Sequence, residues 1–178
     1  MQVYFIDNDD FFMKRKMATD ENGEEYDDNG ERAIFFARGV LETVKKLRWS
    51  PDVIHCQGWM GYIVPLFIKA AYNSEPAFAD TKVVTSVFAD GLKKNIGDNF
   101  KNCLEFKDVT VDSLSAYKDD FDFMELGKLA IDNSDAVVEA EEGANPELIA
   151  YAKSKGIPVL AYPGEDYTVA YKKFYEEL

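Results

Sequence analysis

The chain has 178 residues and a formal net charge of −13, long enough to bury one sizeable core. That acidity excludes a protein that tracks nucleic-acid phosphates, which needs Lys and Arg to displace counterions, and it opposes docking on an anionic membrane. Two cysteines and one histidine exclude zinc fingers and multi-histidine metal centres.

A composition of 47% hydrophobic and 30% charged residues is that of a globular protein. The longest apolar run, residues 59–71, is interrupted by Gly61, Pro65 and Lys69 and falls short of the ~20 residues a membrane span needs. The start is apolar only to Ile6 and then turns acidic, which does not read as a signal peptide. With few cysteines as well, the sequence points to a reducing, cytoplasmic location.

In chain order, residues 2–6 (Gln-Val-Tyr-Phe-Ile) read as a strand, ended by the acidic run from Asp7 to Asp10, and residues 11–13 as a helical turn. Residues 17–31 are polar, acidic and glycine-containing, hence a loop. A calcium frame on Glu25, Asp27, Asn29 and Gly30 places Phe36 where a bidentate Glu is required, so the calcium reading fails. Residues 31–46 form a helix, with Phe36, Val40, Val44 and Leu47 on one face. Asp28 and Glu31 resemble a capping box at its start, and Lys45, Lys46 and Arg48 suit its C-terminal end.

Residues 52–56 read as a short buried strand, Gln57-Gly58 as a tight turn, and residues 59–72 as a buried helix. This strand-turn-helix unit places ligand groups at the carboxyl edge of an open α/β sheet. Residues 81–88 are a further strand, whereas residues 89–114 show no usable periodicity. Residues 121–131 are helical, with Phe123, Leu126, Leu129 and Ala130 on the apolar side, and residues 135–139 form a short strand.

Asn145-Pro146-Glu147 is a helix start, with a cap, a proline at the first helical position and an acid beside the positive end. Gly156 is its stop. Residues 157–161 are a strand that Pro158 places near an edge. Pro163-Gly164 turns, and residues 166–177 form a last amphipathic helix. The alternation predicts an α/β fold: a Rossmann-like parallel sheet with helices on both faces, in a single domain spanning residues 1–178.

Phosphate-binding loops and nucleophile elbows are missing from the sequence. His55 and Cys56 are strand neighbours, so they point to opposite faces and do not act as a pair. His55 is expected to be a hydrogen-bonded strand-end histidine and Cys56 a small core residue. The carboxylate pairs Asp9/Asp10, Asp27/Asp28, Asp119/Asp120 and Glu141/Glu142 are expected to be solvated, none of them at a predicted strand end beside a helix start. No metal and no cofactor is expected.

The text from Val3-Tyr-Phe-Ile-Asp-Asn8 through Asp20-Glu-Asn-Gly, Glu31-Arg32, Phe35-Phe36-Ala37-Arg38 and Pro51-Asp-Val-Ile-His-Cys56, with Gly58-Trp59, Val64-Pro65-Leu66 and Lys82-Val-Val84, resembles the N-terminal domain of bacterial glycogen and starch synthases. The resemblance implies half of a two-domain GT-B fold and a family activity of glucosyl transfer from ADP-glucose to an α-1,4-glucan. In that family the donor sits mainly in the C-terminal domain and the acceptor lies along the N-terminal one.

The functional points differ. The family strand-turn reads His-Cys-His-Asp-Trp, and here Gln57 and Gly58 replace the second His and the Asp. Gln57 hydrogen-bonds but does not carry a histidine's proton chemistry. The family's Ile-His-Asn strand end is Val87-Phe88-Ala89, and its Val-Ser-Pro is Val138-Glu139-Ala140. The glycine-rich loop of the family lies upstream of the strand with which this sequence opens, and the donor domain is expected to be absent.

No catalytic residue is therefore expected, and the chain is predicted to be inactive alone. The glucan-contact candidates are Gln57, Gly58, Trp59 and Phe88. The partner expected is an α-1,4-glucan or malto-oligosaccharide rather than ADP-glucose, nucleic acid or membrane. The alternatives are a non-catalytic glucan-binding module, or a regulatory subunit in a homo- or hetero-oligomer that completes its sheet on another chain.

Overall fold

A computed structural model describes residues 2–97 and 99–178. Four strands, β1 (Val53–Cys56), β2 (Lys82–Val87), β3 (Ala136–Glu139) and β4 (Val159–Leu160), form one parallel sheet in the order β1-β2-β3-β4. His55 pairs with Val84, Val84 with Ala136, and Val138 with Leu160. Side chains alternate along a strand, so this register puts Ile54, Cys56, Val83, Val87 and Val137 on one face and Val53, His55, Val84, Ser86, Ala136 and Val138 on the other.

The first face carries the main core. The helices α1 (Asn29–Lys46), α2 (Val64–Lys69), α4 (Phe123–Asp132) and α5 (Pro146–Ser154) bring Ala33, Leu41, Phe67, Leu126 and Leu148, all fully buried, against Val83 and Val137. The connections between successive strands run through α2, α4 and α5. Such crossovers keep one hand, so the strands advance in one direction with these helices on one side. The second face is narrower: Val84, Ala136 and Val138 are covered by Phe174 and Tyr175 of α6 (Tyr167–Glu176). The expected parallel α/β sheet with helices on both faces is thus present.

Several local expectations are corrected. Residues 2–6 form no strand: Val3 is 64% and Phe5 89% exposed. Strand propensity reports fit to a half-buried pleated surface, and this segment packs instead at its ends, Tyr4 edge-on to Trp49 and Ile6 against Gly39. The apolar run 59–72 is not one helix but a 3₁₀ turn at Trp59–Gly61 followed by the short α2. Pro65 sits in the first turn of α2, where proline is tolerated and fixes a helix start.

Asp28 does not cap α1 through its side chain; its carboxylate accepts from the Arg15 guanidinium at 2.7 Å. Glu25, from the rejected calcium frame, accepts the amides of Lys93 and Lys94 at 2.7 and 2.8 Å. Residues 89–114, unreadable by periodicity, contain α3 (Asn99–Leu104) and a 3₁₀ turn at Val111–Leu114. At the start of α5, Asn145 Oδ1 accepts from the amides of Glu147 and Leu148, as expected.

Arg32 organises the N-terminal loop. It is 1% exposed, and its guanidinium donates to the carbonyls of Phe11, Lys16 and Met17 and to Asn29 Oδ1 at 2.7–3.0 Å. A planar five-donor fork suits carbonyls arriving from several directions, and an ammonium does not. Replacing Arg32 with Met should leave those acceptors unpaired and lower the unfolding free energy by about 3 kcal/mol in urea titration, with Arg32→Lys recovering little of it. A loss below about 1 kcal/mol would contradict this role.

Candidate functional site at the strand ends

The carboxyl ends of β1, β2 and β3 open into a crevice of about 290 Å³, with Gln57, Ser86, Phe88 and Ala140 on the sheet side. Open α/β sheets offer ligand groups at this edge. The opposite wall comes from the segment after β4: Tyr162, the Pro163-Gly164 turn, and Tyr167 and Tyr171 of α6. A larger groove of about 700 Å³ runs along the outer side of α1 past Ile34, Phe35 and Arg38. It lies away from every strand end.

Of the residues singled out in the sequence, Gln57 and Phe88 both line the crevice. Gln57 is exposed and Phe88 half-buried. Gly58 follows at φ +71° and ψ 163°, a region held almost only by glycine. Its role is to turn the chain from β1 into the core, and Gly58→Asp carries backbone strain of about 1–3 kcal/mol. Trp59 is not in the crevice. It is 9% exposed and packed in the main core, so it offers no free ring face to a ligand. Tyr62 is fully buried, its hydroxyl donating to the Ser86 carbonyl at 2.9 Å.

Glu141 departs from the expected solvated pair. It lies just beyond β3, and its Oε1 accepts the amide of Ala89 at 2.6 Å, tying the β2 and β3 ends together. The tyrosines of the far wall were not anticipated. Their spacing in the last helix reads as an amphipathic stripe, and nothing in the sequence says which sheet edge that helix reaches.

The alternation of β1 places His55 on the α6 side and Cys56 in the main core, as expected. Burial pushes the Cys56 thiol up to about 12, so it stays protonated and unreactive. His55 Nε2 lies 2.7 Å from Ser86 Oγ, and Nδ1 lies 2.6 Å from the Tyr175 hydroxyl. Desolvation lowers the His55 pKa to about 4, so the imidazole is neutral at pH 7. It then donates through one nitrogen and accepts through the other. This clasp fixes α6 on the sheet and, through α6, the tyrosine wall.

Acid–base groups suited to glycosyl transfer are not gathered in this crevice. Gln57 does not titrate, and the neutral His55 has both ring nitrogens engaged beneath α6. Neither Lys nor Arg lines the space, so a phosphate has no counter-charge there.

A parallel α/β sheet with helices on both faces and a crevice at its strand ends belongs to the Rossmann-like class of folds. The chain matches the starch synthase catalytic domain family over residues 1–157, and it is a member of that family. It is 42% identical over 88 residues to a glycogen synthase of Chlorobium limicola, covering 49% of this chain and 18% of that protein. It is also 42% identical over 85 residues to a glycogen synthase of Vibrio parahaemolyticus, covering 48% and 17%. The chain thus spans less than a fifth of the curated relatives it matches. In three dimensions it resembles the catalytic domain of starch synthase IV from Arabidopsis thaliana, with a TM-score of 0.52 and 16% identity over 85% of this chain and 32% of that one. That likeness establishes the fold. No helix among the described residues is long and apolar enough to cross a membrane.

The His55 clasp predicts a pH dependence. The folded pKa of about 4 lies below the unfolded value of about 6.5, so the unfolded chain binds the extra proton between them. The contribution is fully present above about pH 6.5 and is lost as pH falls toward 4. Discounted for partial exposure, it is of order 2 kcal/mol. Urea titrations at pH 7.5 and 4.5 should show wild type losing more stability across this window than His55→Gln. Equal losses would contradict the clasp.

Proposed function

We propose that this chain is the acceptor-side part of a glycogen synthase-like fold, that it binds an α-1,4-glucan in the strand-end crevice, and that by itself it does not transfer glucose. Family membership supplies the prior, and the neutral, aromatic-rimmed crevice is the observation that carries the reading. Sugar rings present apolar C–H faces that pack on aromatic side chains, while their hydroxyls exchange hydrogen bonds with amides and phenols. Gln57 and Phe88 are placed to make such contacts from the sheet side. A nucleotide diphosphate wants cations or free helix amides. Here the acids Glu165 and Asp166 stand just ahead of α6.

Transfer requires a donor site, a stabilised leaving group and proton traffic assembled in one place. Gln57 does not carry a proton between substrates. The proposed setting is the cytoplasm, where the family's glucan would be made.

A second reading, a subunit that completes its sheet on another chain, is favoured by one observation. β1 is one of the two edge strands of the described sheet, and a groove of about 490 Å³ between it and α6 is lined by Val53, Tyr171 and Tyr175. Open edges are pairing templates.

Two measurements test the proposal. With ADP-glucose and maltoheptaose the purified chain should give no glucan elongation, and calorimetry with maltoheptaose should show saturable heat that weakens in Phe88→Ala. Elongation by the chain alone would overturn the inactivity, and absence of heat at millimolar sugar would overturn glucan binding. In that second case, a mass that rises with concentration in light scattering would support the partner reading.

A further inference from the structure

Two large aromatic side chains sit at the crevice mouth with little packing role. Tyr162 is 43% and Tyr167 53% exposed, although both rings bound the space facing Gln57 and Phe88. Tyr171, half-buried, lines the same space together with Ser86, Tyr162 and Tyr167. The Tyr167 and Tyr171 rings lie 5.9 Å apart at 67°, an edge-to-face pair that holds Tyr167 upright. Residues 158–178 lie beyond the family-matched span, so membership of the family assigns these tyrosines no role.

We propose that the segment from Tyr162 to Tyr171 is the specificity-determining wall of the glucan site, Tyr162 and Tyr167 packing on the faces of neutral hexose units opposite Gln57 and Phe88. This rests on the glucan reading above and adds the residues that select the ligand. The crevice is rimmed by phenols and an amide and holds no cation, so a neutral saccharide satisfies it and an anionic nucleotide sugar does not. The wall stays in place because α6 is clasped to the sheet through Tyr175, His55 and Ser86.

Calorimetric titration of the full chain with maltoheptaose and separately with ADP tests this, using wild type, Tyr162→Ala/Tyr167→Ala, Tyr167→Phe and Phe88→Ala. Both tyrosines are surface residues, and far-ultraviolet circular dichroism confirms that the variants fold. The double variant should bind maltoheptaose about 10-fold more weakly or worse, Tyr167→Phe should bind nearly as wild type, and ADP should give no saturable heat. If the double variant binds like wild type while Phe88→Ala loses affinity, the wall proposal is overturned and the glucan reading stands. ADP binding as tight as maltoheptaose would overturn the preference for a neutral sugar. No maltoheptaose binding by wild type would overturn both.

Discussion

The placement of α6 depends on one uncharged imidazole. The second sheet face buries three apolar side chains completely, Val84, Ala136 and Val138, with Val53, Leu160, Phe174 and Tyr175 partly buried against them, a smaller apolar contact than on the first face. His55 adds directional bonds to that contact. It joins Ser86 of β2 to Tyr175 of α6 through both ring nitrogens, and a fully satisfied polar bridge in a low-dielectric setting specifies one arrangement. The far wall of the crevice follows from it, because Tyr167 and Tyr171 lie on the same helix as Tyr175.

The substitutions at the strand ends share a direction. Where the resembled family carries histidines, an asparagine and a serine, this chain has Gln57, Phe88, Ala89 and Glu139. Histidine positions hold an amide and an aromatic ring, and Glu139 pairs with Lys153 and accepts the Tyr162 amide. Gly58 then locks the turn in a backbone conformation that an aspartate does not share. The strand ends keep the shape of a ligand edge, and the crevice they line presents an amide, an aromatic ring and phenols, the features on which the proposed glucan binding rests.

The parallel sheet was legible because its strands are short, β-branched and separated by helical patterns, and the α5 start because Asn145-Pro146-Glu147 satisfies its own orphan amides. Residues 2–6 misled for a physical reason: strand propensity describes fit to a half-buried pleated surface, and here Val3 and Phe5 stay exposed. Residues 89–114 were opaque because the buried Leu92, Ile96, Phe100 and Leu104 recur every four residues, as on one helix face, whereas the described chain there is α-helical only from Asn99 to Leu104. Gln57 and Phe88 line the crevice because they follow the ends of β1 and β2, positions legible in the sequence. Trp59 could not be placed, since an aromatic after a turn serves a core as readily as a ligand. The tyrosine wall arises from a long-range contact between the chain's last helix and its first strand, which local pattern does not encode.

Backbone-amide chemical shifts followed by nuclear magnetic resonance during titration with maltoheptaose test the central claim most directly. The account predicts saturable shifts concentrated at Gln57, Gly58, Phe88, Tyr162, Gly164 and Tyr167. Shifts concentrated along the α1 groove at Phe35 and Arg38, or no saturable shifts at all, would contradict it.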